Sequence, residues 1–126
     1  MISNGKTATV TTTVTDKNTA KAVGSGNLDV FATPMMIALM EQAACECIAD
    51  SLESTQSSVG TQINVAHTAA SPLGATISAT ATVSDVDGRK VSFTVAAHDG
   101  TNEIGNGTHE RFVIDAERFM KKLEQR

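Results

Sequence analysis

Residues 33–54, TPMMIALMEQAACECIADSLES, carry the reading of the fold. Thr33 followed by Pro34 predicts a helix start, with a hydroxyl N-cap and a proline at the first helical position. From Met35 to Leu52 the segment is apolar nearly all round, broken by Glu41, Gln42, Glu46 and Asp50. A helix apolar on most faces has to be buried on most faces. The remaining chain must therefore wrap it.

Working outward, the alternating β-branched run KTATVTTTVT (6–15) predicts a strand. Between it and the helix lies DKNTAKAVGSGNLDVFA (16–32), rich in Gly, Asn and small polar residues, which reads as a long loop. Structureless loops of that length are uncommon inside a compact domain and often functional. Downstream, four strand-like runs follow at 57–69, 74–86, 89–99 and 103–114. Val59, Thr61, Ile63, Val65 and His67 alternate on one face of the first, and Ala75, Ile77, Ala79, Ala81 and Val83 on one face of the second. Asp87-Gly88 signals a hairpin and Asp99–Asn102 a second turn. The tail DAERFMKKLEQR closes as a short helix, with Asp115 as N-cap and basic residues near its end. The order is strand, loop, buried helix, then a meander of four antiparallel strands. It predicts an α+β chain forming a single domain over residues 1–126. One antiparallel five-stranded sheet wraps one long central helix, with a short C-terminal helix: the hotdog arrangement.

Composition narrows the partners. The 126 residues are 40% hydrophobic, but mostly Ala and Val, with four Phe and no Trp or Tyr. A core that thin favours further burial by self-association. A helix swaddled by one sheet also leaves a helix flank and a sheet edge open, which a homodimer, or a tetramer of two dimers, would cover. The net charge of −4 and the scarcity of aromatics argue against nucleic-acid binding. No run of 18 apolar residues predicts a membrane span, and the start MISNGKTATV lacks a signal-peptide core, so a cytoplasmic location is expected. Cys45 and Cys47, two apart in a helical pattern, point about 200° from each other and read as unpaired thiols rather than as a metal or disulfide pair.

Three residues stand out chemically. Glu41 places a carboxylate in an apolar stretch, which costs several kcal/mol unless it is paired or serves a function. A narrow polar stripe shared with Asp50 is the plain alternative. His67 shares the face of Val59, Ile63 and Val65, where a lone histidine is commonly structural, yet beside a carboxylate it could move a proton. Thr33 is explained by capping alone. Conspicuous polar residues crowd GTHERFVIDAERF (107–119), where His109, Arg111 and Val113 share one strand face. Charges on both faces there point to an edge or interface, and Gly105 and Gly107 to a close backbone approach or a bulge.

FATPMMIALMEQAA (31–44), VGTQINVAHTAASPLGATISATA (59–81) and AAHDGTNEIGNGTHERFVI (96–114) together resemble the fluoroacetyl-CoA thioesterase-like branch of the hotdog superfamily, over about residues 23–120. The resemblance implies acyl-CoA thioester hydrolysis by a catalytic set of Thr33, Glu41 and His67, with the Gly60 backbone N–H helping to hold the thioester oxygen. No cofactor is implied, coenzyme A being part of the substrate, and no metal. Thr33 and Glu41 lie eight residues apart, a rise of about 12 Å along a helix. They are too far apart to meet within one helix, which predicts a site built at a dimer interface from both chains. Arg111 is the expected interface or coenzyme A contact; Arg89, Lys90, Arg118, Lys121 and Lys122 are further surface cations that phosphates could use.

The lid region departs from the family pattern. The fluoroacetyl-specific enzymes carry an aromatic-rich segment before FAT, whereas NTAKAVGSGNLDV (18–30) has no aromatic and supplies only Val23, Leu28 and Val30 as bulky apolar walls. A short-chain acyl-CoA is therefore the expected substrate class. The competing reading is a non-catalytic hotdog protein that binds an acyl thioester or related ligand, for which a carboxylate embedded in the helix serves no purpose. A hotdog dehydratase would require helix motifs that the sequence lacks.

Overall fold

The computed structural model describes residues 1–126. In chain order the elements are β1 (Thr7–Thr13), α1 (Ala20–Val23), α2 (Thr33–Ile48), a 3-10 turn (Ala49–Ser51), β2 (Gln56–His67), β3 (Thr76–Asp87), β4 (Lys90–His98), β5 (Glu103–Asp115) and α3 (Ala116–Glu124). The five strands form one antiparallel sheet in the order β1-β3-β4-β5-β2, curled around α2. This is the α+β hotdog arrangement, and none of its helices is long and apolar enough to cross a membrane.

Strand alternation decides what the sheet buries. Ile77, Ala79, Ala81 and Val83 of β3, Val91, Phe93, Val95 and Ala97 of β4, and Ile104 of β5 all point inward. They meet Met36, Leu39, Met40, Ala43, Ala44, Cys47 and Ile48 of α2. Alanines on the sheet's inner face let the helix sit close, while Phe93, Met36 and Met40 fill the volume left over. The other flank of α2 is open: Thr33, Pro34, Ala38, Gln42, Cys45 and Glu46 are exposed, with Met35, Ile37 and Glu41 half-buried. Within one chain, then, the apolar helix buries one face only.

Three expectations are corrected. The meander comprises only β3, β4 and β5; β2 crosses over to pair with β5, from Gln56↔Asp115 to His67↔Gly105, and becomes a sheet edge. Consequently β5 is an interior strand flanked by β4 and β2, not an edge. Residues 16–32 are not structureless. Thr19 caps α1, its backbone bridges Phe31, Val30 bridges Pro72, and buried Asn18 receives the Ala32 N–H on its carbonyl. The segment is a strap tied across the entrance to α2. The expectation at Gly105 and Gly107 holds as a close approach: a Cβ on Gly107 would lie 2.0 Å from the Asn64 carbonyl oxygen, and one on Gly105 2.6 Å from Met36 Sδ.

Candidate active site

α2 begins one residue earlier than its sequence suggests. Ala32, extended at φ −72° and ψ 136°, is the N-cap, and its carbonyl accepts from Met35 and Met36. Thr33 is thus the first helical residue, and its hydroxyl is free of capping duty. It lies 2.7 Å from His67 Nδ1, at the end of β2. Helix start and strand end are brought together by the strap, which pins Ala32 to Asn18 and Phe31 to Ser71.

The Thr33–His67 pair lines a cavity of about 260 Å³ together with Ala20, Val30, Phe31 and Ala69. Burial pushes the His67 pKa below the ordinary imidazole value, with the Ala69 backbone opposing. A neutral ring with its proton on Nε2 leaves the Nδ1 lone pair facing the hydroxyl, so that His67 can accept the Thr33 proton. Nε2 is buried and has no hydrogen-bond partner in the chain. That orphaned atom is unusual, since buried polar groups are generally paired.

Glu41 lies two turns further along α2, in a second polar cluster. Its Oε2 sits 3.3 Å from Arg111 Nη1 and 3.9 Å from His109 Nε2, both on β5. Arg111 also donates from Nε to Ser58 Oγ at 2.8 Å and from Nη2 to the Ser58 carbonyl at 3.1 Å, both on β2. The Glu41 side chain remains 41% exposed, so it is a paired carboxylate at an opening rather than one sealed in apolar surroundings. Gly60 of β2 makes the room: a Cβ there would lie 2.7 Å from Glu41 Oε2. Pairing of β2 with β5 skips a residue between Gly60 and Gln62, a bulge of the kind that re-aims a strand beside a site.

The structure therefore joins Thr33 to His67, and joins Glu41 to Gly60 and Arg111, without bringing the two groups together in one chain. Arg111, expected as an interface or coenzyme A contact, is 7% exposed in the single chain and turned inward on Glu41. His109, 2% exposed, and Ser58 complete this cluster and were not anticipated as site residues. Strand alternation had put His109 and Arg111 on one face; knowing that β5 lies inside the sheet makes that face the inner one. No three His, Cys, Asp or Glu side chains gather closely enough to hold a metal ion.

Comparison with known proteins gives a consistent picture. The family model described as fluoroacetyl-CoA-specific thioesterase, FlK, matches residues 14–117. The fluoroacetyl-CoA thioesterase of Streptantibioticus cattleyicolor is 50% identical over 98 residues, which are 78% of this chain and 70% of that one. A point variant of FlK superposes with a TM-score of 0.93 at 40% identity, covering 99% of this chain and 97% of the other. A thioesterase-superfamily protein of Thermus thermophilus superposes with a TM-score of 0.89 at 25% identity, over 99% of this chain and 95% of that one.

Proposed function

The chain belongs to the family of fluoroacetyl-CoA-specific thioesterases, acyl-CoA thioester hydrolases of the hotdog fold, and from that premise we propose that it hydrolyses short-chain acyl-CoAs at two sites shared between the chains of a homodimer. In each site Thr33 and His67 come from one chain and Glu41 from its partner. The observation that carries this reading is the Thr33–His67 pair at 2.7 Å on a cavity, with His67 Nε2 unpartnered and Glu41 eight residues away on the same helix.

Symmetry supplies the rest. Two copies of α2 packed antiparallel about a two-fold axis near Ile37 set Thr33 of each chain opposite Glu41 of the other. The exposed flank of α2 carries small Ala38 and half-buried Ile37 at that point, which suits close helix approach. β2 is an open edge in the single chain and could pair with its own copy, continuing the sheet. Solved relatives include threonine-to-alanine and threonine-to-serine variants of FlK, with fluoroacetate and with acetyl-CoA respectively, which supports a threonine at the reacting centre.

Chemically, the Glu41 carboxylate attacks the thioester carbonyl, or deprotonates the water that does, and the Gly60 backbone N–H supports the developing oxyanion. The C–S bond breaks and the departing CoA thiolate takes a proton from the Thr33–His67 pair, which is restored by the proton that the attacking water gives up. Where Glu41 attacks directly, that water hydrolyses the acyl–Glu41 anhydride and frees the acid and the carboxylate. Residues 21–29 of the strap are exposed and hold no aromatic side chain, so no aromatic lid from this segment adds to Val30 and Phe31 of the cavity, which admits short acyl groups beyond fluoroacetyl. Thiol release from acetyl-, propionyl-, butyryl- and fluoroacetyl-CoA tests this. Release from acetyl- and propionyl-CoA at rates close to that from fluoroacetyl-CoA is expected. No release from any of the four would end the enzymatic reading, and release from fluoroacetyl-CoA alone would end the broader range.

A further inference from the structure

The donors and acceptors around Glu41 fix the protonation of a buried ring. His109 Nδ1 lies 2.7 Å from the Gln62 carbonyl oxygen, which can only accept, so Nδ1 carries the proton. Its Nε2 lies 3.2 Å from Arg111 Nη1, which can only donate, so Nε2 must offer a lone pair. Both contacts are satisfied by one form only, the neutral Nδ1–H tautomer. Nη1 then spends one hydrogen on His109 and the other on Glu41, while Nε and Nη2 are held by Ser58. The guanidinium is fixed on three sides, and Glu41 is its fourth partner.

The groups facing His109 are Arg111 and Glu110 of β5, Glu41 of α2, the Gln62 carbonyl of β2 and the Phe93 ring of β4, stacked at 6.0 Å. Burial lowers the His109 pKa most; the Gln62 carbonyl opposes this, and the Arg111 charge adds to it. A second proton on the ring would put an N–H against the Arg111 guanidinium and release Nη1 from its fixed direction.

We propose that His109, as the neutral Nδ1–H tautomer, is a positioning residue for Glu41, acting through Arg111. The proposal rests on the reading of Glu41 as the reacting carboxylate. Two substitutions separate the ring's atoms. The amide oxygen of His109→Gln can reach the Nε2 place and accept from Arg111. The amide nitrogen of His109→Asn can reach the Nδ1 place and donate to Gln62, but offers Arg111 nothing.

Steady-state thiol release from the best substrate of the acyl-CoA panel is expected to show His109→Asn lowering kcat by about 10–100-fold with KM little changed, the scale of a misplaced reacting group. His109→Gln should recover most of that loss. In a Glu41→Gln background, His109→Asn should cost nothing further. A ring needed only for packing or for Gln62 would rank Asn above Gln, or show the same loss in both backgrounds, and either result overturns the proposal. Full activity in Glu41→Gln alone would instead overturn the reading on which it rests. Should the His109 variants not fold, ¹⁵N NMR of the unaltered protein at neutral pH decides. A neutral ring protonated at Nδ1 supports the proposal, and a doubly protonated ring or an Nε2–H tautomer overturns it.

Discussion

Replacing Glu41 by Gln is expected to lower kcat for acyl-CoA hydrolysis by about 10²–10⁴-fold, the usual scale for loss of a general base and a lower bound for loss of a nucleophile. The glutamine is chosen for what it preserves. Arg111 is 7% exposed and its Nη1 donates to Glu41 Oε2. Truncation to alanine would leave a largely buried guanidinium short of an acceptor, a defect that is costly where both partners are buried and milder here because Glu41 is 41% exposed. An amide oxygen keeps that acceptor and the side-chain shape but can neither attack a carbonyl nor take a proton from water. The melting temperature of Glu41→Gln should therefore stay close to that of the unaltered protein while thiol release collapses. Retention of the full rate by a folded Glu41→Gln protein would remove Glu41 from the chemistry.

Gly60→Ala should cost nearly as much activity by a different route. The new methyl group would lie 2.7 Å from Glu41 Oε2 and 3.3 Å from both Arg111 Nη1 and His109 Cε1. The first distance cannot be tolerated, and the atom that must yield is the end of a flexible, half-exposed side chain. The fold therefore absorbs the change cheaply, and Glu41 is pushed off its position. Displacement of a reacting group by about an ångström is worth about 100-fold in rate. A kcat lowered on that scale, with an unchanged melting temperature, is the expected pair of readings. A fully active Gly60→Ala protein would show that Glu41 works from somewhere other than the place it occupies over β2.

These two residues also show where the sequence can be read and where it cannot. Glu41 was conspicuous because local periodicity marks a carboxylate in an apolar helix. Its partner, Arg111, lies 70 residues away, and no local pattern couples them. The hairpin at Asp87–Lys90 was legible because a two-residue turn fixes its neighbours, with Gly88 at φ +61°. The link from His67 to Thr76 is longer and specifies no neighbour, so β2 was placed beside β3 when it belongs beside β5. With charges on both of its faces, β5 then reads as an edge or an interface, whereas it lies inside the sheet and turns Arg111 and His109 inward. Thr33 was found as a candidate, but a one-residue offset in the helix start hid the reason it is available: Ala32 takes the cap position, leaving the hydroxyl to His67. In the strap, propensity for turns concealed the bridges that hold Thr19, Val30 and Phe31 in place.

Separation of Thr33 and His67 from Glu41 within one chain leads to the central claim, that each site is completed by the partner. Mixing two inactive variants, Glu41→Gln and His67→Ala, tests it most directly, once their subunits have been allowed to exchange. In a mixed dimer one site would combine Thr33 and His67 of the first variant with Glu41 of the second and be intact, while the other site would carry both defects. With random exchange about half the dimers are mixed and half their sites intact, so recovery of about a quarter of the unaltered protein's activity is predicted. A mixture that exchanges subunits and remains as inactive as its components would contradict the shared site.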